Sequence, residues 1–412
     1  MLARSTTLFF LGLTTLAAAG PTTEAEASAL LGEAECQPYG YQPVTNAILA
    51  KQFPPIWVPV PSLQNDTDAL AKFRSIEANI PKIAPKGENG VPSNTTVYDR
   101  AADPDCWWTQ AQCVQPKAAG VKPDIFNVPE PRTLGYGFDD GPYCGHNAFY
   151  NYLSQKNQKA TMFFVGSNVL NNPLQAQRAV ADGHEICVHS WSHAFMTAFN
   201  NEQAYGELYF TMKAIKLVTG YTPKCWRPPR GDVDDRIRFI AQSLGLDNVM
   251  WKYDSFDWEK GLNGVTEDTV RSNYEKLISD ASTGVLNTAG AIILAHELSN
   301  YTMQVAVDYY PKLAAAFDHI VPIAVAFNKT QPYAETDLTM PDFKQYIAQR
   351  PASSSNSSSS NNSNGKGDGK NDSSNSTNGK TSVSGASAAI VVRPLSTGGI
   401  LLATLAVAIA ML

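Results

Sequence analysis

From residue 131 onward the chain alternates two patterns. Short, almost wholly apolar runs, "TLGYGF", "ATMFFVG", "EICVHS", "NVMWKY", "AIILAH" and "IVPIAVAF", predict buried strands. Between them, "NAFYNYLSQKN", "NPLQAQRAVADG", "EQAYGELYFTMKAIKLVTG", "DVDDRIRFIAQSLG", "EDTVRSNYEKLISDA" and "VAVDYYPKLAAAFDH" space their apolar residues as helices do. Repeated strand–helix alternation predicts an α/β fold with a parallel sheet or barrel. Residues 20–130 differ. "FPPIWVPVP", "NIPKIAPK" and "VPEPR" are rich in proline and hold little sustained period, so they predict an irregular extension wrapped on the main domain. One helix is expected inside it, at "LAKFRSIEANI".

The alternation has a functional consequence. In parallel α/β folds, reactive side chains gather on the loops at the carboxyl ends of the strands. Four candidate groups fall at such ends: Asp139 and Asp140 after "LGYGF", His189 after "EICV", Asp254 and Asp257 after "NVMWKY", and His296 after "AIILA".

Composition narrows the class. The 412 residues, 43% hydrophobic and 17% charged, suffice for one large domain or two ordinary ones, with no internal repeat. A net charge of −6 argues against a general electrostatic grip on nucleic acid.

Both ends carry address signals. Arg4, the apolar stretch "LFFLGLTTLAAA" and the small residues Ala17 and Ala19 predict a secretory signal over residues 1–19, with an uncleaved anchor as the alternative. From Pro351 the stretch "PASSSNSSSSNNSNGKGDGKNDSSNSTNGK" has no apolar residue able to nucleate a core, so residues 351–383 predict a disordered stalk. Small residues Ser384, Gly385 and Ala386, a spacer and the tail "GGILLATLAVAIAML" then match a GPI-attachment signal over 384–412, with Gly385 as the attachment residue. A tail-anchored helix is the alternative. The expected location is outside the cell, lipid-anchored to the plasma membrane or held in the cell wall. Glycosylation acceptors at Asn65, Asn94, Asn300, Asn328, Asn356, Asn361, Asn371 and Asn375 fit that surface. Six cysteines in an exported chain predict disulfides. Cys106 and Cys113 are close enough for a local loop, the full pairing stays open, and the lack of a CxxC pair argues against a cysteine metal site.

The chemistry-bearing stretches each have a bland alternative. "FDDGP" alone is an ordinary acidic turn. His189 and His193 in "HSWSH" are four apart, a spacing that brings two imidazoles together on a helix face or in a tight loop. His184 in "DGHEI" reads as structural. One aspartate added to the pair makes a His-His-Asp set, which leaves a divalent metal open positions for water and substrate. One carboxylate of Asp139–Asp140 would then ligate, the other would take a proton from water, and the cation would offset their repulsion. In "WRPPRGD" the prolines cannot donate, so the first free N–H, that of Arg230, is held in one direction and suits an oxyanion; a surface turn is the alternative. "YDSFDW" sets acids beside Trp258, an arrangement that suits sugar binding, although a core tryptophan is commoner. His296 can serve as a general acid near neutral pH if a carboxylate orients it.

Five stretches in order, "GFDDGP", "HSWSH", "RPPR", "DSFDW" and "ILAHE", resemble the signature of the NodB-homology polysaccharide deacetylases, the carbohydrate esterase family that includes chitin deacetylases. The resemblance covers about residues 131–330 and implies a distorted, incomplete β/α barrel. It implies Asp139 as general base, with Asp140, His189 and His193 as ligands of a divalent metal, Zn²⁺ or Co²⁺. It further implies that Arg227 steers Asp139, that Asp257 orients the acid His296, and that the Arg230 N–H faces the oxyanion. Trp258 and Leu294 would line the acetyl pocket. Gly137 stands where the family usually has threonine, and Arg230 where it usually has an aromatic, which replaces a stacking surface by a cation. The implied activity is metal-dependent removal of N-acetyl groups from N-acetylglucosamine residues of chitin, giving chitosan and acetate, with no protein partner expected. The alternatives are an O-acetyl esterase on another wall polysaccharide and a wall-glycan-binding protein without activity.

Overall fold

Among the described residues, nine short parallel strands make the central layer: β3 (Thr133–Gly135), β4 (Gly137–Gly141), β5 (Thr161–Phe164), β6 (Glu185–Val188), β7 (Cys225–Trp226), β8 (Asp247–Asn248), β9 (Tyr253–Asp254), β10 (Ala291–Leu294) and β11 (His319–Val321). They follow a small antiparallel pair, β1 (Gly87–Glu88) and β2 (Val91–Pro92), in the extension. The computed structural model describes residues 20–94 and 97–349. The secretory segment, the stalk, the attachment segment with Gly385, and the acceptors Asn356, Asn361, Asn371 and Asn375 lie outside the described residues.

The strands are apolar because they are covered on both faces, as parallel strands are. Met162, Phe163, Phe164, Ile186, Val188, Ile292 and Ile293 are all buried. One sheet has the order β4-β5-β6-β7-β8 and the other β11-β3-β10-β9. β3 and β4 are successive parts of one strand that changes neighbours at Tyr136, whose N–H donates to Val321 O while its carbonyl accepts from Thr161 N–H, both at 2.9 Å. A parallel bridge between Asp139 and His296 carries the joint onward past β10. Among the described residues no ladder joins β8 to β9, so the barrel is incomplete.

Two apolar runs divide where the patterns predicted single strands. "NVMWKY" contributes only Asn248 to β8 and Tyr253 to β9, because residues 249–252 span the open edge of the barrel and bond to three different neighbours, at Trp226, Ile125 and Ile292. "IVPIAVAF" is strand only as far as Val321; Pro322, at φ −60° and without an N–H, then starts a short helix, Ile323–Ala326.

The expected helices form at Asn147–Gln155, Pro173–Ala181, Asn201–Thr219, Asp235–Ser243, Glu267–Ser282 and Asn300–Ala316. Asn200 with Gln203, Thr266 with Thr269, and Ser299 with Thr302 close capping boxes at three of their starts. The Asn201–Thr219 helix stops at Gly220, whose φ of 85° is open to glycine at little cost. The extension is irregular over most of its length, with helices at Gln42–Leu49 and Thr67–Glu77, and it places Val60, Leu63, Ala69 and Phe73 in the same core as the barrel helices. Arg238 clamps it further through a two-pronged bond to Asp124, at 2.7 and 2.9 Å. The acceptors Asn65, Asn94, Asn300 and Asn328 are exposed.

Three disulfides resolve the open pairing: Cys36–Cys144, Cys106–Cys113 and Cys187–Cys225. The first ties the extension to the loop after β4. The last joins β6 to β7, the strands that lead to His189 and Arg227. Closing a loop with a sequence separation of 38 restricts the unfolded chain by about 3–4 kcal/mol. A Cys187→Ala/Cys225→Ala double variant should lose stability of about that size in urea unfolding followed by tryptophan fluorescence.

Candidate active site

Successive residues of a strand point to opposite faces, so Asp139 and Asp140 should diverge. They do not, because the register of β4 against β5 slips between Asp139 and Gly141, and Asp140 takes the left-handed conformation at φ 71°. The bulge re-aims the second carboxylate toward the first. Asp140 Oδ1 then lies 3.3 Å from His189 Nε2 and Asp139 Oδ2 lies 3.7 Å from the same nitrogen. Asp139 offers its other oxygen to Arg227 Nη1 at 2.7 Å. Each acid therefore has its own cationic or imidazole neighbour, which is how two adjacent carboxylates are held at a buried position.

His189 follows β6, and its Nδ1 lies 2.8 Å from Arg227 O. A carbonyl only accepts, so Nδ1 carries the proton, and in the neutral ring Nε2 is a bare lone pair facing Asp140. His193 Nε2 approaches Asp140 Oδ1 from the other side at 3.1 Å. Despite these distances, the buried Asp140 Oδ1 has no well-formed hydrogen bond among the described residues. Two imidazole nitrogens and one carboxylate oxygen, all within 4.8 Å of one another, fit the donor set of a divalent ion with open positions. The charge states agree. Burial, assisted by His189 and Arg230, outweighs Asp140 and pushes the His193 imidazole below its ordinary value, toward the neutral ligand form. When they carry protons, His193, His189 and His296 hold the Asp140 carboxyl well below the usual range against the opposing effect of burial, so with the two ligand rings neutral the site favours a cation in their place. Among the described residues, two other clusters of possible donors, around Glu185 and Asp103, consist of one acid beside a closed disulfide, Cys187–Cys225 or Cys106–Cys113, and offer no thiolate.

The remaining candidates close around this centre. Arg227 follows β7 and is fully buried; its Nε donates to Val249 O at 3.3 Å and its guanidinium lies 4.1 Å from the Phe163 ring centre. His296 follows β10. Asp257 holds it twice, at 2.6 Å through the ring Nδ1 and at 3.0 Å through the backbone N–H. Burial alone would drive the proton off this ring, but Asp257, with Asp140 and Asp139, raises it to about 9. His296 is therefore an imidazolium at neutral pH. Trp258 stands edge-on to His296 with ring centres 6.5 Å apart and is partly exposed, while Leu294 is buried at the end of β10. Arg230 sits in the left-handed conformation, φ 59° and ψ 13°, and its guanidinium covers the Phe195 ring at 4.8 Å. Asp254 accepts from Phe256 N–H at 2.8 Å, and burial pushes its carboxyl up to about 6. His184 lies at the opposite ends of the strands, accepting from Ala160 N–H; burial lowers it to about 3, which fits a neutral structural ring.

Sequence reasoning missed Glu297, the residue after His296. It is fully buried and gathers Tyr143 N–H at 2.9 Å, His146 Nδ1 at 2.7 Å and Tyr150 Oη at 2.8 Å. It also crowds Gly141, where a Cβ would come within 2.6 Å of its carboxylate. Glu297 thus braces the turn after Asp140. The signal was present: a charge directly after an apolar strand is either at a site or beneath one.

The model of the family described as polysaccharide deacetylase matches residues 127–249. Chitin deacetylase 2 of Cryptococcus neoformans var. grubii is 51% identical over 318 residues, covering 76% of this chain and 70% of that protein. The chitin deacetylase of Amylomyces rouxii is 42% identical over 291 residues, covering 69% and 68% respectively. Among solved structures, the chitin deacetylase of Colletotrichum lindemuthianum aligns with 49% of this chain and 90% of its own at 22% identity, with a TM-score of 0.44.

The elevated titration of His296 depends on a neighbouring charge. In the metal-free protein, ring nitrogen NMR should find His296 protonated through pH 8, and Asp257→Asn should bring its titration back to about 6.5 or lower. An unchanged titration in the variant would show that Asp257 does not set the charge of the ring.

Proposed function

Because the chain belongs to the polysaccharide deacetylase family and is a hydrolase of that kind, we propose that it removes the acetyl groups of N-acetylglucosamine units in chitin, using a divalent metal. One observation carries the reading: an acid held by arginine (Asp139) and an imidazolium held by an acid (His296) are bridged backbone to backbone beside a His-His-Asp set of metal donors. The names of the similar proteins supply the substrate class.

Asp140, His189 and His193 would hold the ion, which when bound polarises the acetyl carbonyl and makes water more acidic. Asp139 is the base. The bond from Arg227 fixes the orientation of its carboxylate, so one oxygen stays directed by the guanidinium while the other takes the proton of the attacking water. The backbone N–H of Arg230, following two prolines in an inverted turn, donates to the developing oxyanion. Leu294 and Trp258 shape an apolar space for the acetyl methyl. His296, charged before the reaction starts, gives its proton to the departing amine so that a neutral group leaves. Acetate and a glucosamine unit are the products. Asp257 thus sets the charge of the acid, and Arg227 the orientation of the base.

The end segments, outside the described residues, support placement at the cell surface on a GPI anchor. Release of the protein from membranes by a phosphatidylinositol-specific phospholipase tests that placement.

The activity test is acetate release from soluble chitin oligomers, with acetylated xylan in parallel. Chitin oligomers should be turned over, chelator should abolish the reaction, and Zn²⁺ or Co²⁺ should restore it. Loss from xylan alone, or turnover that survives chelation, would contradict the reading. Asp139→Asn should lower kcat by about 100-fold or more while one metal ion per chain is retained.

A further inference from the structure

The backbone that carries the two imidazoles is strained. Ser190 and His193 both adopt positive φ, 59° and 57°, which costs about 1 kcal/mol or more per residue and persists only where the surroundings over-determine it. Trp191 lies midway between His189 and His193, and every polar group it has is engaged. Its N–H donates to Glu207 Oε2 at 3.0 Å, its carbonyl accepts from Ser167 Oγ at 2.7 Å, and its Nε1–H donates to Pro55 O at 3.1 Å. Phe53 stacks on its ring with the planes 7° apart. Ser192 adds its own N–H to Glu207 at 2.8 Å and its hydroxyl at 3.0 Å. The remaining donor to Glu207 is Val60 N–H, at 3.0 Å, from the proline-rich extension.

Glu207 is therefore a hub. It is fully buried on the Asn201–Thr219 helix, and three backbone N–H groups and one hydroxyl converge on its two oxygens. Only an acceptor on both oxygens suits that set; a side-chain amide would turn a donor toward a donor. The neighbouring Gly206 lets the extension come this close, since a Cβ there would meet Val60 Cγ1 at 2.6 Å. Trp57 N–H, donating to Ser167 Oγ at 2.8 Å, closes the circuit back to Trp191.

We propose that Glu207 is a positioning residue for the metal ligands His189 and His193, and that residues 53–63 form a strap completing the same clamp. This rests on the metal reading of the site. The extension is then a working part of the active centre: it holds the ligand loop from outside while Glu207 holds it from beneath.

The test is competitive Zn²⁺ titration of the full-length, metal-stripped protein against a chromophoric chelator, well below the unfolding temperature. Glu207→Gln should weaken Zn²⁺ binding about tenfold or more. Leu208→Ala, a core substitution on the same helix, should lower the melting temperature yet leave the affinity unchanged. Unchanged affinity in Glu207→Gln, or an equal loss in both variants, would overturn the proposal. If Glu207→Gln does not fold, Trp191→Phe carries the test: it keeps the stacked ring, loses the bond to Pro55, and should bind Zn²⁺ about fivefold more weakly. No change there would equally overturn it. A wild-type protein that binds no ion would instead sink the metal reading itself.

Discussion

Two adjacent carboxylates with different partners are the constraint on which the rest depends. A regular strand would separate them, and a flexible loop would let them repel into solvent. The slip in register at the end of β4, with Asp140 in the left-handed region, brings both to one buried centre. That position is tolerable because Arg227 pairs with one acid and because the other, with two imidazoles, forms a donor set whose charge a divalent ion would offset. Arg227 from the end of β7 takes Asp139, and the imidazoles from beyond β6 take Asp140. Burial makes each pairing electrostatically strong and each missing partner expensive.

The parallel barrel supplies these partners with little additional machinery. β4, β6, β7, β9 and β10 all end at one face, so residues far apart in sequence need only follow their own strands to meet. What the strands cannot supply is precision in the loops. Asp140, Ser190, His193, Arg230 and Phe256 all hold positive φ without being glycine, a concentration of backbone strain at one place. Buried acids around the loops resist it: Glu297 below the Asp140 turn, Glu207 below the histidine loop, and Asp257 against His296.

The candidate participants were largely legible as sequence patterns, and the residues that support them were not. Local spacing exposes a His-x-x-x-His pair, a double aspartate and a histidine ending an apolar strand, because each is a short-range pattern placed by the strand it follows. The bulge at Asp140 is a property of two strands in register, which no single stretch encodes. Glu207 reads as one polar residue on a helix, and its meaning comes from Val60 and Trp191, distant along the chain. Proline-rich composition signals irregular backbone in the extension, but it could not show that "FPPIWVPV" would grip Trp191. The divided runs "NVMWKY" and "IVPIAVAF" show the same limit: apolar character marks burial, while strand ends depend on which neighbours remain to be paired.

The central claim is that Asp140, His189 and His193 share one divalent ion with Asp139 left beside it, unligated. Anomalous X-ray diffraction from crystals grown with Zn²⁺ tests this most directly. A single strong peak about 2.0–2.2 Å from Asp140, His189 Nε2 and His193 Nε2, with Asp139 still bonded to Arg227, is the expected result. An ion bound elsewhere, or one that draws Asp139 into its coordination and away from Arg227, would contradict the account.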